Sequence, residues 1–562
     1  MKKKLAFYIL TLLILCEYVA LGQIKQVQAF QEIINKGIKK AYPASVRMWS
    51  YDLQLKQRTG NQFSGVVVSA DGYILTAAHT IFPGKNYKVF FPDGKECIAT
   101  ALGRIDNKET PGIPDVGMMK IVDPGSWPFA EMGYSSSLVP GEPCISISYP
   151  ETLNQTLPTV RLGEIGETKN TYGFIRSTCK MEPGDSGGPL LDYLGRVVGL
   201  HSAVDVREDQ NFEVPVDLYR KYRTALLKEN NYTTFPHEQD SVHSDPLKSR
   251  IRVEVESGRL KPQLKSRITS PNSGYFIEST LKGMPTKISG TLLNIKGQDG
   301  KKRHFFISKN TMVGLDPLVI VEGKKLRLKV LLRDQGNDLV LLRVDQQIRG
   351  GIDFSPTDTD QEKLKVGSFL YTKKTGRDQV SSVLSSDTLA LPKITSHAYL
   401  GAMVAYNTSP AQFSLIKPGS PAEKAGMKVG DELVSINGRK IAGSTEFAPL
   451  MTTFWPGDEL GFEWISGEKK IAAAVTLEER IQPVFNHPAE KFQGGKSLRR
   501  DGFNGVFAHD AAIEPVDCGT PVFDLSGEFF GINIARFSRT ATLILPASRI
   551  RKTIAKVLET QQ

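Results

Sequence analysis

The sequence predicts a mainly β chain in which one β domain occurs twice, the second time interrupted by an inserted module. Three observations predict it. From about residue 42 to 225 short β-type runs alternate with Gly, Pro, Asn and Asp turns, and the pattern resumes beyond about 265. Glu182–Asp192 lies without gaps on Glu514–Asp524; extended to Ala203 and Ala535, the window matches at nine of 22 positions, where chance gives about one or two. Residues near 398–480 have no counterpart in the first copy.

Taken in order, Lys2, Lys3 and Lys4 precede the apolar run Leu5–Leu15, and Ala20-Leu21-Gly22 supplies small residues of the kind a signal peptidase reads. Residues 1–22 are therefore expected to be a secretory signal, with an uncleaved anchor as the alternative. Residues 24–40 read as an amphipathic helix ending before Tyr42-Pro43. Gly65–Val68, Tyr73–Thr76 and Arg196–Leu200 are typical strand runs of the first copy. Residues 228–262 are polar, charged and poor in aromatics, and predict a linker. In the second copy, Asp338–Val344 pairs with Asp115–Ile121 and Ser289-Gly290 with Ser64-Gly65.

Composition narrows the function classes. With 562 residues, 40% hydrophobic and 23% charged, the chain is long enough for three or four globular domains and is not disordered. Its net charge of +11 falls to +9 without the three lysines and Glu17 of the signal. No basic stripe or aromatic stacking motif accompanies that charge, so nucleic acid is not an expected partner. Beyond Cys16 the cysteines are Cys97, Cys144, Cys179 and Cys518, too few for a disulfide scaffold. One bridge is compatible with them, but no pairing is legible. The eight histidines lack metal-ligand spacing, so neither a metal nor another cofactor is expected.

Three segments of the first copy carry chemistry. His79 follows the strand run ending Thr76-Ala77-Ala78, Asp115 opens another strand, and Gly184-Asp185-Ser186-Gly187-Gly188-Pro189 is a glycine-rich turn. Alone, each has a bland reading: a structural histidine, a turn aspartate, a loop. Together they give the order His, Asp, Ser, with intervals of 36 and 71 residues. Hydrolysing an amide near neutral pH needs an activated hydroxyl; His79 would take the Ser186 proton, and Asp115 would fix the imidazole tautomer. The glycines let backbone N–H groups converge, so those of Gly184 and Ser186 are the candidate oxyanion hole.

Ser64–Phe82, the Asp115 segment and Gly184–Ser202, with the helix before Ala41–Val46, resemble the chymotrypsin-like serine proteases, most closely their HtrA/Deg branch. The resemblance covers about residues 30–225 and implies two six-stranded β-barrels with the triad between them. It implies protein or peptide substrates, and it leaves homo-oligomer formation open. The branch usually has Asn where this chain has Asp185. In trypsin-type enzymes the matching aspartate pairs with an amino terminus made by zymogen cleavage; no such cleavage site appears here, so the partner of Asp185 is an open question. Ser202 matches a position that borders the substrate strand and contacts the triad aspartate. His201 aligns with the pocket histidine of glutamyl endopeptidases and, beside Lys180, would favour an acidic P1 residue. Met181, expected to line the same pocket, favours a small or medium apolar one, and this is the preferred reading.

The second copy departs from the pattern. In the sequence alignment Asn310 stands for His79, Asp338 for Asp115, Cys518 for Ser186 and Val516 for Gly184. Asparagine is no general base near neutral pH, so a pseudoprotease is expected. The inserted unit contains Tyr399-Leu400-Gly401-Ala402 and Lys417–Gly438, which resemble a PDZ domain of the HtrA type. Its first four residues would offer backbone donors to a C-terminal carboxylate, and the following strand would pair with the peptide.

The expected architecture is thus two chymotrypsin-like double-barrel domains, the second degenerate, plus a PDZ domain inserted in the second. Its boundaries are 1–22 signal, 23–227 protease, 228–264 linker, 265–397 with 481–558 degenerate protease, and 398–480 PDZ. The expected function is an exported serine endopeptidase of the periplasm or exterior, membrane-anchored if the signal is retained. The rival reading is an envelope scaffold acting through the PDZ and degenerate domains.

Overall fold

The computed structural model describes residues 25–106, 113–258, 260, 272–297, 299–357, 364–377, 379–480 and 486–560. The expected signal segment lies outside them. Among the described residues no helix is long and apolar enough to cross a membrane. These residues fall into two compact units, one drawn from Ala390–Phe485 and Leu498–Asn504, the other from the rest. The protein is mostly β, as the sequence predicts.

The first copy begins with a helix over residues 25–41. Val27, Phe30, Ile34, Ile38 and Ala41 are buried, a stripe at three- and four-residue spacing. Six strands follow: β1 (Ser45–Asp52), β2 (Phe63–Val67), β3 (Tyr73–Ala77), β4 (Asn86–Phe90), β5 (Glu96–Ile105) and β6 (Val116–Ile121). They close in the order β1-β2-β3-β6-β5-β4. A second barrel closes from β7 (Pro143–Ser148), β8 (Thr159–Glu167), β9 (Ile175–Ser177), β10 (Pro189–Asp192), β11 (Val197–Val204) and β12 (Asn211–Pro215). Burial alternates along β4 and β5 because successive side chains face opposite sides of a strand. Val46, Met48, Val66, Ile74, Val89 and Met119 are fully buried in the first barrel, each worth about 1.5–3 kcal/mol relative to exposure.

Of the linker expected over 228–264, residues 228–256 are structured and packed. Asn231–Tyr232 pairs in parallel with β5, and Lys248–Glu256 is a helix that buries Ile251 and Val255. Asp245, just before that helix, is buried in a bidentate bond from Arg196, at 3.2 and 3.0 Å. The average polarity of the segment conceals these few anchors.

The second copy repeats the plan. One sheet contains Gly274–Leu281, Met284–Lys296, Lys302–Lys309 and Leu339–Val344. The other contains Phe369–Lys373, Gln379–Val383, Leu389–Leu391, Phe503–His509, Pro521–Asp524, Phe529–Arg536 and Thr542–Pro546. Leu389–Leu391 and Phe503–His509 are neighbours in that sheet, as β8 and β9 are in the first copy. The inserted module therefore occupies the connection that residues 168–174 make between β8 and β9. The two copies are bonded to each other: Val160 N–H donates to the Ser385 carbonyl, and Leu162 N–H to the Asp510 carboxylate, both at 2.9 Å.

The inserted unit has its own core around Phe413, Leu433, Ile436, Phe462 and Trp464. Its main sheet runs Ala402–Val404, Ala411–Ile416, Glu432–Ile436, Glu459–Ser466, Lys469–Thr476. Helix Pro421–Lys424 starts on an N-cap, Ser420 Oγ accepting from Glu423 N–H, while the Glu423 carboxylate accepts the Gly419 N–H just before it.

Candidate active site

β3 ends in a 3-10 turn, Ala78–Thr80, that delivers His79 to the opening between the barrels. β6 starts immediately after Asp115, which brings the carboxylate beside that turn. His79 Nδ1 lies 2.7 Å from Asp115 Oδ2, and His79 N–H donates to the same oxygen at 3.0 Å. Ser202, on β11, donates its hydroxyl to Asp115 Oδ1 at 2.5 Å. Burial raises the Asp115 pKa, but the His79 and Ser202 hydrogen bonds outweigh it and leave it below the usual carboxylate range. Burial lowers the His79 pKa, but Asp115 outweighs that too and leaves it above the ordinary histidine value.

Ser186 and His79 line one cleft of about 490 Å³, together with Phe63, Glu151, Met181, Gly184, Ser202 and Val204. Gly184 has φ of 98°, and a Cβ there would lie 2.4 Å from Glu151 N and 2.6 Å from Tyr149 O, so only glycine fits. The Pro183 carbonyl accepts Glu151 N–H at 2.9 Å. In a trans peptide the next N–H points the opposite way, so that of Gly184 turns from Glu151. Among the described residues neither the Gly184 nor the Ser186 N–H is taken up by a protein carbonyl. Both candidate oxyanion donors are thereby left for a ligand.

Asp185 finds a partner that the sequence did not reveal. Its carboxylate accepts from Arg161 Nη1 and Nη2 at 2.6 and 2.7 Å, from Ser148 Oγ at 2.8 Å and from Glu182 N–H at 2.9 Å. Arg161 also donates to the Lys180 carbonyl. One guanidinium thus braces both the glycine-rich turn and the Lys180 segment before it, and gives Asp185 a charge partner within the chain. Nothing in the motif around Asp185 points to a residue 24 positions upstream.

Met181 reaches the cleft, held by its N–H on Asn211 Oδ1 at 3.2 Å. His201 is placed differently. It is fully buried, bonds Ser146 through Nε2 at 2.6 Å, faces Glu213 across 3.5 Å, and does not line the cleft. Burial raises the Glu213 carboxyl to about 7, with His201 opposing. The same cleft acquires His487, from the segment that returns to the second copy, which sequence reasoning missed.

In the second copy the structure corrects the alignment by one residue. Lys309 pairs with Leu339 as Ala77 pairs with Val116, and Thr311 N–H donates to Asp338 as His79 N–H donates to Asp115. Thr311, not Asn310, therefore stands where His79 does. The slip arose because the two copies share no residues across that turn, Thr76–Thr80 against Ser308–Met312. Lys309 Nζ bonds Asp338 at 2.6 Å and the Ile534 carbonyl at 2.9 Å. Pro515–Asp517 is a 3-10 turn in which Cys518 N–H donates to the Pro515 carbonyl, so the counterpart of the Ser186 donor is used internally. Cys518 is fully buried. Ser497 N–H donates to Arg536 O and Ser497 Oγ accepts from Arg536 N–H, both at 2.9 Å, covering the strand edge beside it. His509 bonds Asn533 and Ser382, its pKa pushed down to about 3 by burial; His304 bonds Asn294 and Gln347. Neither histidine serves Cys518.

In the inserted unit, Tyr399, Leu400, Gly401 and Ala402 form a turn into the edge strand Ala402–Val404. Gly401 has φ of 78°, and a Cβ there would lie 2.1 Å from Ser420 Cβ. Leu400 is buried in the unit's core. Among the described residues no group of His, Cys, Asp and Glu is arranged to hold a metal.

Residues 63–200 match the trypsin-like peptidase domain family, and residues 412–450 match the PDZ domain family. The putative serine protease HhoB of Synechocystis sp. is 28% identical over 243 residues, 42% of this chain and 54% of that protein. Serine protease HTRA1 of Xenopus laevis is 29% identical over 241 residues, 40% of this chain and 49% of that protein. A probable periplasmic serine endoprotease DegP-like of Pseudomonas savastanoi pv. phaseolicola is 23% identical over 450 residues, covering 77% of this chain and 82% of its own length. The chain spans about half the length of the first two. It therefore contains a trypsin-like peptidase domain and a PDZ domain, and it is a relative of serine proteases named HtrA and DegP-like.

Proposed function

We propose that this protein is an exported serine endopeptidase that hydrolyses peptide bonds in other proteins. The observation that carries the reading is the His79–Asp115 bond of 2.7 Å in the cleft that also holds Ser186, beside two unengaged N–H donors. Ser186 Oγ attacks the scissile carbonyl while neutral His79 Nε2 takes its proton. Asp115 keeps the Nδ1–H tautomer and stabilises the imidazolium that forms. The Gly184 and Ser186 N–H groups receive the oxyanion, and His79 then returns the proton to the leaving amine. Water repeats the sequence on the acyl-enzyme. Met181 in the cleft and the burial of His201 support a small or medium apolar P1 residue. The second copy is read as a pseudoprotease, because its nucleophile position is buried and lacks both base and oxyanion hole. The PDZ unit would recognise C-terminal peptides at Tyr399–Ala402 and the adjoining strand edge. Periplasmic relatives and the residues of 1–22 support export.

Fluorophosphonate labelling followed by peptide mapping tests the enzyme reading. The expected adduct is on Ser186, and Ser186→Ala should lower kcat by on the order of 10⁶. Folded protein that stays unlabelled, or a mutant that keeps full activity, overturns it in favour of a scaffold.

A further inference from the structure

The degenerate copy sends two arginines into the substrate cleft's supporting wall. Arg536 and Arg539 are 1% and 0% exposed; Arg536 ends the strand Phe529–Arg536, the counterpart of β11, and Arg539 lies in the loop that follows it. Arg539 Nη1 donates to the carbonyls of Asp205 and Val206 at 2.6 and 3.2 Å, and Nη2 donates to that of Arg207 at 2.6 Å. Nη2 also reaches Asn211 Oδ1 at 3.3 Å. Arg536 donates to the Glu208 carboxylate. Residues 205–210 connect β11 to β12 and directly follow the cleft residues Ser202, Ala203 and Val204.

The opposite wall is held from the same side. Lys180 Nζ donates to the Asp510 carbonyl. Asn211 joins the walls, because its Oδ1 accepts Met181 N–H while its Nδ2 donates to the carbonyls of Ser177 and Glu208. The second copy therefore bonds Lys180, the neighbour of Met181 in the cleft, and residues 205–208 and 211, which follow the cleft residues Ser202–Val204.

A fully buried guanidinium is a poor device for packing alone, since apolar side chains of similar volume usually serve stability as well or better. Its five donors in a rigid fork instead fix the positions of several acceptors at once. Three successive carbonyls on one guanidinium hold a loop in one conformation. We propose that the degenerate copy is a built-in positioning domain, in which Arg539, seconded by Arg536, holds the 205–211 loop and through it the adjoining Ser202–Val204 wall of the peptide-binding cleft. The proposal rests on the protease reading above and gives the second copy a role that needs no chemistry of its own. Arg539 and Arg536 are positioning residues and touch no reacting atom.

The test uses the full chain and compares wild type with Arg539→Met and Arg539→Lys. A small fluorophosphonate needs only the nucleophile, its base and the oxyanion donors, whereas a peptide extending to P4 needs the wall. The expected result for Arg539→Met is a KM about tenfold higher for the extended peptide, with kcat and the fluorophosphonate labelling rate within about twofold of wild type. Arg539→Lys, a single compact donor, should fall between the two. Hydrogen exchange of the 205–211 amides, followed in an inactive Ser186→Ala background, should accelerate selectively in Arg539→Met. An unchanged KM, an equal loss of labelling and peptide turnover, or unchanged exchange overturns the proposal. If Arg539→Met fails to fold, Glu208→Gln should raise KM in the same sense, and wild-type KM there would refute it. Absence of Ser186 labelling in wild type would instead refute the protease reading, with the exchange measurement still judging the clamp.

Discussion

Arg161 and Asp185 form a bidentate ion pair with both side chains inaccessible to solvent, 1% and 0% exposed. The pair also bonds the Lys180 carbonyl and the Glu182 N–H, at the start of the turn that carries both candidate oxyanion donors. Breaking a buried pair by removing one partner leaves an uncompensated charge.

Arg161→Met should accordingly destabilise the protein by about 3–5 kcal/mol and lower kcat/KM, because Asp185 loses its counter-charge. Adding Asp185→Asn removes that stranded charge and should recover part of the stability without the activity. Thermal unfolding and peptide hydrolysis of the single and double variants decide it; equal stability losses in both would show that the charge is not the cause.

Asp115→Asn should keep the fold but lower kcat by roughly 10⁴, through loss of the correct His79 tautomer. His79 acts only when neutral, so kcat/KM should fall as pH drops through its pKa. With that pKa held above 6.5 by Asp115, despite burial acting downward, the acid limb should lie above pH 6.5. In Asp115→Asn the limb should move to lower pH. A pH profile of kcat/KM, taken with substrate well below KM, checks both; an unmoved limb would assign it to another group.

Cys518→Ala should leave turnover unchanged. The thiol is buried, burial pushes its pKa up, and neither His304 nor His509 is turned toward it. Wild-type hydrolysis rates and slow native-state reaction with a thiol reagent are expected. Loss of activity at unchanged melting temperature would make the second copy catalytic.

The PDZ unit should bind peptides with a free C-terminal carboxylate and an apolar last residue, at about micromolar to tens of micromolar Kd. C-terminally amidated versions should bind at least tenfold more weakly. Calorimetry or fluorescence titration of matched pairs measures this, and equal affinity would remove the carboxylate role from Tyr399–Ala402.

The sequence by itself determined the duplicated β domain, the inserted module and the candidate triad segments. These follow from local spacing and ordered motifs, which survive without knowledge of contacts. Tertiary structure decided what depends on residues far apart in the chain. It supplied Arg161 for Asp185, turned His201 into the barrel interior rather than the cleft, and shifted the His79 counterpart from Asn310 to Thr311. It also folded the expected linker onto the first copy and brought Arg539 against a loop more than 300 residues upstream. A side chain's neighbours in a barrel are set by strand register and by which face it takes, and a one-residue difference reverses that face. Charge partners across domains leave no periodic trace in sequence, because only the folded geometry brings donor and acceptor within bonding distance.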